Sequence, residues 1–494
     1  MDDQAPRDPW HYAAAASDLA AKGRLVLRVG RKQLALFATP DGPRAADNRC
    51  PHEGYPLSEG SLDAACRLTC NWHNWKFDLA SGANLTGGDA LRVYPLEQRG
   101  DDLWVKLEEP PAGQRQADAL RRLDEALEDR AYDRTARELA RFLAAGGAPE
   151  AALTDAIVRR HDRLEFGFGH AFAAAPDWLT LREGLSDEAE RLIPLTEILD
   201  HIGDDTRREE RWPYTTDSLP WAAAAFGAAI EAEDEPAAVA RVNGALAAGL
   251  GFAELEPALT AAALAHYADF GHSLIYVVAC GRLRRALGPD SAPPLLRALT
   301  RSLVKQTRED LIPEFRAYAP ALARFTAAPG AALDEAALDK ADTRRALAAV
   351  AEAGGGGPEA LFIPLLRANA RNLRDFDAGF DCRWDRPVQD NAGWLDVTHG
   401  LTFAAAVWQQ CRRFPALWPA GLLQMACFAG RNRRFRTKAP EPVVVPEDLL
   451  AQERAALLDH GIDAPILAAH RLKTLMAVET LARDRPAEAP LLTA

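Results

Sequence analysis

Four residues near the start of the chain carry the sharpest chemical signal. Cys50-Pro51-His52 and Cys70-Asn71-Trp72-His73 form a C-x-H and a C-x-x-H with seventeen residues between them. Two thiolates suit one ferric ion of a [2Fe-2S] core. Two imidazoles on the other iron remove negative charge and raise the reduction potential, so such a centre moves electrons one at a time. Each pair has to sit on its own loop if both are to close over a cluster from opposite sides. An accidental spacing or a zinc site is the alternative reading. Seven cysteines without any C-x-x-C count against zinc ribbons and thioredoxin-like chemistry.

A second set of candidates is scattered through the rest of the chain. Of eleven histidines, five stand in apolar surroundings: His170 in FGFGHAFAAA, His266 and His272 in LAHYADFGHSLIYVV, His399 in WLDVTHGLTFAAAVW and His470 in ILAAHRLKTLMAVETL. One buried histidine is usually a hydrogen-bonded core residue. Several imidazoles buried together without a shared purpose are costly, and imidazole is the commonest protein metal ligand. His11, His161, His201 and His460 lie beside charged or helix-end residues and read as surface residues or caps. Asp269 and Asp396 each precede a histidine by three positions, so each pair is expected on one helical face, its carboxylate orienting the ring or binding metal. Ile466, His470, Lys473, Ala477 and Leu481 form one helical stripe, which turns Lys473 toward apolar surroundings. A buried lysine has a lowered pKa, and its neutral amine can take up carbon dioxide as a carbamate; a snorkelling surface lysine is the plainer alternative. Gly169, Gly271 and Gly400 adjoin three of the histidines, which suits either close helix approach around a site or ordinary tight packing.

The elements that must position these groups fall into two textures. From Leu25 to about Leu107, short runs such as LVLRV, QLALFA and LWVKLEE are separated by DG, GD and SGAN, the pattern of a small all-β domain. EEPPAGQRQAD then reads as a linker. Beyond it, Leu120, Leu123 and Leu127, then Leu139, Phe142 and Leu143 before Gly146 and Gly147, recur at helical spacing. The expected fold is multidomain: an all-β domain over 1–110, a linker over 111–118 and a large all-α domain over 119–494. No fixed repeat period emerges.

A chain of 494 residues exceeds what one core usually supports, and 48% hydrophobic with 26% charged residues fits a globular protein. The net charge of -13 argues against nucleic acid or an anionic membrane as partner. The acidic opening MDDQAPRDPWHYAAAASDLA does not read as a signal peptide, and the longest apolar stretch, near Leu219 to Ile230, is too short to span a bilayer. A reducing cytoplasm is the expected location.

Through CPHEGYPLSEGSL and LTCNWHNWKFDLASG, roughly the first 110 residues resemble Rieske ferredoxins and the Rieske domains of ring-hydroxylating oxygenases. The resemblance implies a [2Fe-2S] cluster on Cys50, His52, Cys70 and His73. Tyr55 and Trp72 stand where respiratory-type Rieske proteins carry a disulfide, so the lower-potential type is implied. Asn71 and Asn74 replace the usual Pro and Gly; asparagine tolerates positive φ, so the second loop is expected to keep its shape. Cys66 reads as a small buried hydrophobe.

Through GFGHAFA, DFGHSLIYVVA, DVTHGLTFAAAVW and AHRLK, the helical part resembles the questin oxidase-like family of non-haem enzymes, from roughly Phe166 to Leu481. That family is associated with oxidative opening of polycyclic aromatic ketones. The resemblance implies a mononuclear iron on His170, His272, His399 and His470 with a carbamylated Lys473, and His266 in reserve should His272 act from outside the ligand set. A fused Rieske domain departs from the family. The expected activity is therefore an oxygenase: electrons pass from the cluster to a non-haem iron that activates O2 on a small organic substrate, with Lys473, Asp269 and Asp396 as candidate catalytic groups.

No G-x-G-x-x-G, P-loop or flavin signature is present, so an external reductase or ferredoxin is expected to recharge the cluster. Transfer within one chain and between subunits of an oligomer both satisfy the sequence. The usual Rieske oxygenase triad needs a D-x-x-H followed four or five residues later by a second histidine, and neither D-x-x-H here has that follower. Two further readings stay open: an electron carrier or redox sensor with a helical partner-binding domain, and a di-iron carboxylate oxygenase built on the two D-x-x-H pairs. A nitrite-reductase-like accessory chain gets no support from the helical region.

Overall fold

Ten strands build the front of the chain: β1 (Trp10–Ala15), β2 (Arg24–Val29), β3 (Lys32–Phe37), β4 (Arg44–Asp47), β5 (Ser61–Leu62), β6 (Arg67–Thr69), β7 (Lys76–Asp78), β8 (Val93–Tyr94), β9 (Leu96–Arg99) and β10 (Asp102–Lys106). They pair into three antiparallel sheets ordered β1-β10-β9, β2-β3-β4-β8 and β5-β6-β7. The run LALF in β3 is buried on both faces, and the two-residue period of a strand divides it. Leu34 and Leu36 join Tyr94, Leu103 and Val105 in one core, while Ala35 and Phe37 join Cys50, Leu57, Cys70 and Phe77 in another. One strand therefore ties the barrel-like body to the layer beneath the cysteines.

The computed structural model describes residues 9–325, 332–381, 392–438, 445–459 and 464–494, so His460 lies outside the described residues. Contacts divide the chain into two units, Met1–Arg115 and Gln116–Ala494. Of the stretch read from sequence as a linker, 111–118, residues 112–118 are helical, the start of the helix Ala112–Asp129, and the division between the two units falls within it, between Arg115 and Gln116. Pro110 and Pro111 precede its first turn, where the N–H groups have no intrahelical acceptor to lose, and polar residues such as Gln114 and Gln116 are good helix formers.

Among the described residues the second unit is built from helices joined by irregular segments such as 209–222. Four of its helices matter most: His170–Glu183, His272–Leu287, Trp394–Arg413 and Pro465–Asp484. Each of the first two packs on the other, the last packs on the first and third, and the third also meets the second, so the four close into a ring. Small residues permit that approach. A Cβ on Gly400 would meet Asn369 Oδ1 at 2.9 Å, and one on Gly271 would meet the Phe403 ring at 2.5 Å. Gly169 is different, since a Cβ there would stand at an ordinary 3.4 Å from Asp205. Close approach thus explains two of the three glycines flagged by the sequence. Among the described residues no helix is long and apolar enough to cross a membrane.

Candidate functional site

The two cysteine-histidine loops are built alike. In the first, which follows β4, Cys50 N donates to Tyr55 O (2.9 Å) and Gly54 N to Cys50 O (2.8 Å). In the second, between β6 and β7, Cys70 N donates to Trp75 O (2.8 Å) and Asn74 N to Cys70 O (2.9 Å). The closing residue of each is left-handed, Gly54 at φ 81° and Asn74 at φ 65°, so asparagine does keep the loop shape. Asn71 braces the second loop, its amide donating to Glu59 O (2.8 Å) and its oxygen accepting from Ser61 Oγ (2.9 Å). Both thiols are buried while both imidazoles are exposed, with His52 Nδ1 3.1 Å from His73 Nδ1. Trp75 stacks on His52 and Trp72 on His73. Burial, with Cys70 alongside, pushes the Cys50 thiol up to about 11. An iron that takes both as thiolates removes that cost, and the donor set fits a [2Fe-2S] core. Cys66 is buried too, at a left-handed φ of 58°.

In the helical unit the ring of four helices brings His170, His272, His399 and His470 together, with one nitrogen from each inside a 4.8 Å span. His272 Nε2 lies 3.0 Å from His170 Nε2 and 2.8 Å from His399 Nε2. Backbone carbonyls fix three of the rings: Nδ1 of His272 faces Asp269 O (2.5 Å), that of His399 faces Asp396 O (3.3 Å), and that of His470 faces Ile466 O (2.8 Å). A carbonyl can only accept, so each Nδ1 carries the proton and each Nε2 presents a bare lone pair. Burial holds the rings neutral, pushing His272 to about 3 and His470 to about 4, and His170 and His399 well below their ordinary value. The bare nitrogens of His272 and His399, 2.8 Å apart, repel one another unless a cation lies between them. The set therefore fits a metal, and carbonyls holding the far nitrogen are the usual support for imidazole ligands.

The carboxylates of the two D-x-x-H pairs do other work. Asp269 Oδ1 accepts from Thr307 N (2.6 Å), and Asp396 Oδ2 accepts from Gly393 N (2.9 Å) at the start of its helix. It is the backbone carbonyl of each, not the side chain, that orients the histidine. Asp269 is not helical either: it and Phe270 have φ of 47° and 45°, and the helix begins only at His272. His266 stands apart from the four, held by Asp310 and Glu231 at 2.9 Å each.

Lys473 is 4% exposed, and its Nζ has no hydrogen-bond partner among the described residues. Burial lowers its pKa to about 8, and its charge in turn depresses the surrounding histidines. Sequence reasoning missed two neighbours. Tyr276, one turn after His272, sets its ring beside His170 and His272. His201, read as a surface residue or cap, is 3% exposed, with Nε2 3.7 Å from Asp205. The apolar spacing Leu195, Ile198, Ile202 around it was the available signal.

Two expected results follow from this geometry. Since His272, His470 and His201 (pushed to about 3 by burial) have folded pKa values below the unfolded 6.5, the unfolded chain takes up protons first as pH falls. Stability of the metal-free protein is full above about pH 6.5 and declines from there toward pH 4 and below; urea midpoints at pH 7 and pH 5, followed by helical circular dichroism, check this. Gly271→Ala is expected to cost about 1–3 kcal/mol for the left-handed backbone (φ 80°) and a similar amount for the Phe403 clash. Because His272 follows directly, metal retention should fall with it, as read by metal analysis after dialysis.

Comparison with known proteins places the front of the chain. The Rieske [2Fe-2S] domain family matches residues 9–95. Pheophorbide a oxygenase of Oryza sativa subsp. japonica is 35% identical over 79 residues, 16% of this chain and 15% of that protein. The ferredoxin component of the naphthalene 1,2-dioxygenase system of Pseudomonas putida is 30% identical over 90 residues, 18% of this chain and 86% of that protein. A solved complex of reduced oxygenase and oxidized ferredoxin in carbazole 1,9a-dioxygenase contains a chain 27% identical, matching 21% of this chain and 98% of its own length at a TM-score of 0.20. The chain spans less than a third of the length of the first oxygenases it matches. With paired loops that present two thiols and two imidazoles on a small all-β unit, the chain belongs, through residues 9–95, to the Rieske [2Fe-2S] domain family.

Proposed function

We propose that the protein is an oxygenase in which a Rieske cluster on Cys50, His52, Cys70 and His73 passes electrons to a mononuclear non-haem iron on His170, His272, His399 and His470, for oxygenation of an organic substrate. The observation that carries this reading is the convergence of four imidazole nitrogens within 4.8 Å, three of the rings fixed by backbone carbonyls. When bound, the iron supplies activation of O2, chemistry that no protein side chain offers. The chain's own part is to hold the rings, exclude water through the buried wall around them, and place Lys473 beside them. An external reductase or ferredoxin recharges the cluster, and the relatives that match the front unit, oxygenases and a dioxygenase ferredoxin by name, support that role. Among the described residues no carboxylate oxygen joins the four histidines, which leaves a di-iron centre without its bridging ligands. Iron analysis with anomalous scattering tests the reading: three irons per chain support it, two leave an electron carrier, and four restore a di-iron site.

Lys473 completes the site as a carbamate. Its neutral amine attacks carbon dioxide, forming an N–C bond and releasing one proton, and the product offers an anionic oxygen to the metal. A pKa near 8 keeps a useful neutral fraction at physiological pH. In 13C-bicarbonate the wild type is expected to show a carbamate carbon resonance that Lys473→Met lacks. A spectrum identical in both would remove the fifth ligand and leave the four histidines.

A further inference from the structure

Three cavities lie against the helices that carry the histidine cluster, and two of them share part of their lining. The first, about 320 Å³, is a mixed polar and aliphatic space in which Lys473, Asp177, Arg454 and Glu479 share the wall with Ala405 and Met476. Its volume is at the lower end of small-molecule sites, about 300–1,000 Å³. The second, about 570 Å³, is lined by five arginines, Arg282, Arg284, Arg285, Arg412 and Arg413, against two carboxylates, Glu256 and Asp484. Val278, Arg282 and Gln409 line both, so the two spaces meet there.

The arginines are not all spoken for. Arg413 is bound by Glu256 (2.6 Å) and Arg282 by Asp177 (2.5 Å). Asp484 accepts from Trp408 Nε1 (3.1 Å) and has Arg483 at 3.5 Å. Arg285 has no carboxylate partner among the described residues, Arg284 has a buried Nε without an acceptor, and Arg412 lies over the Trp408 ring at 4.8 Å. Among the described residues these three guanidiniums have no carboxylate within ion-pair distance, although Glu359 is near enough to Arg412 to feel its charge, and such a group is unusual on a chain of net charge -13. A cavity lined by one sign of charge draws in ligands of the other, and the planar fork of arginine matches carboxylate and phosphate oxygens.

We propose that the substrate carries an anionic substituent, a carboxylate or a phosphate ester, which Arg284, Arg285 and Arg412 hold in the larger cavity. This rests on the oxygenase reading for the word substrate, and on the cavities alone for the binding.

Calorimetric titration of the iron-loaded full chain with 2-naphthoate, 2-naphthyl phosphate and the neutral 2-acetylnaphthalene tests it. At least one anion is expected to bind more tightly than the ketone, more weakly as salt rises, and about tenfold or more weakly to the double variant Arg285→Gln, Arg412→Gln. The tighter anion identifies the substituent. Binding of the ketone as tight as that of both anions, or no salt dependence in the wild type, overturns the proposal, and the second readout does not depend on the variant folding. Repeating the titration on His399→Ala separates the two readings. Anion binding that persists there supports the basin even if iron analysis has failed the oxygenase.

Discussion

Replacing His399 by alanine is expected to lower iron from three atoms per chain to two, leave the visible absorption of the cluster intact, and abolish oxygenation. His399 is 6% exposed and stands 2.8 Å from His272, so its removal opens one side of a four-nitrogen set in which His272 and His470 are also fixed by backbone carbonyls. Loss of an outer hydrogen-bond partner already lowers metal affinity about 10–100-fold, and loss of a ligand should exceed that. The helix itself should survive: His399 lies in the interior of the helix Trp394–Arg413, where alanine is the best helix former. Metal analysis beside a visible spectrum decides the matter. A variant with its full iron complement would show that the histidines are a core cluster and nothing more.

Cys70→Ser should do the reverse. Two of the three irons go with the cluster, its visible band disappears, and the iron among the helices stays. Reductase-driven turnover is expected to fall to background, because a hydroxyl is a poor substitute for a thiolate and Cys70 sits at 1% exposure in the core under the loops. Metal analysis and electron paramagnetic resonance of the reduced protein read the two irons separately. If Cys70→Ser and His399→Ala each remove all iron, the two centres are not independent and the assignment of ligands to separate units fails.

What the residues revealed depended on how local the cause was. The Rieske loops were legible because every ligand lies within a few residues of its loop, and even the left-handed position at Asn74 follows from side-chain type. The four histidines could be nominated by their apolar surroundings, but their meeting depends on helices up to 300 residues apart in the chain closing into a ring. The D-x-x-H pairs misled in a specific way. Spacing put each carboxylate on the histidine's face, yet Asp269 precedes its helix at a left-handed φ and Asp396 is drawn to cap the Gly393 amide, so the main chain took over the orienting role. His201 was hidden by its charged neighbours Asp200, Asp204 and Asp205, which outweighed the apolar stripe that buries it. The helical conformation of the stretch between the units went unread because prolines before a helix look like prolines in a loop.

Two of the four histidines open their helices: His170 is the first residue of a 14-residue helix and His272 of a 16-residue one. Each such end carries roughly half a positive elementary charge from its aligned peptide dipoles. Small anions such as azide should therefore dock beside a metal held there more readily than neutral ligands. If iron is held there as proposed, a ferric–ferrous couple in that field would be shifted toward the ferrous form, and the ring of helices would set the electronic bias of the centre as well as its shape.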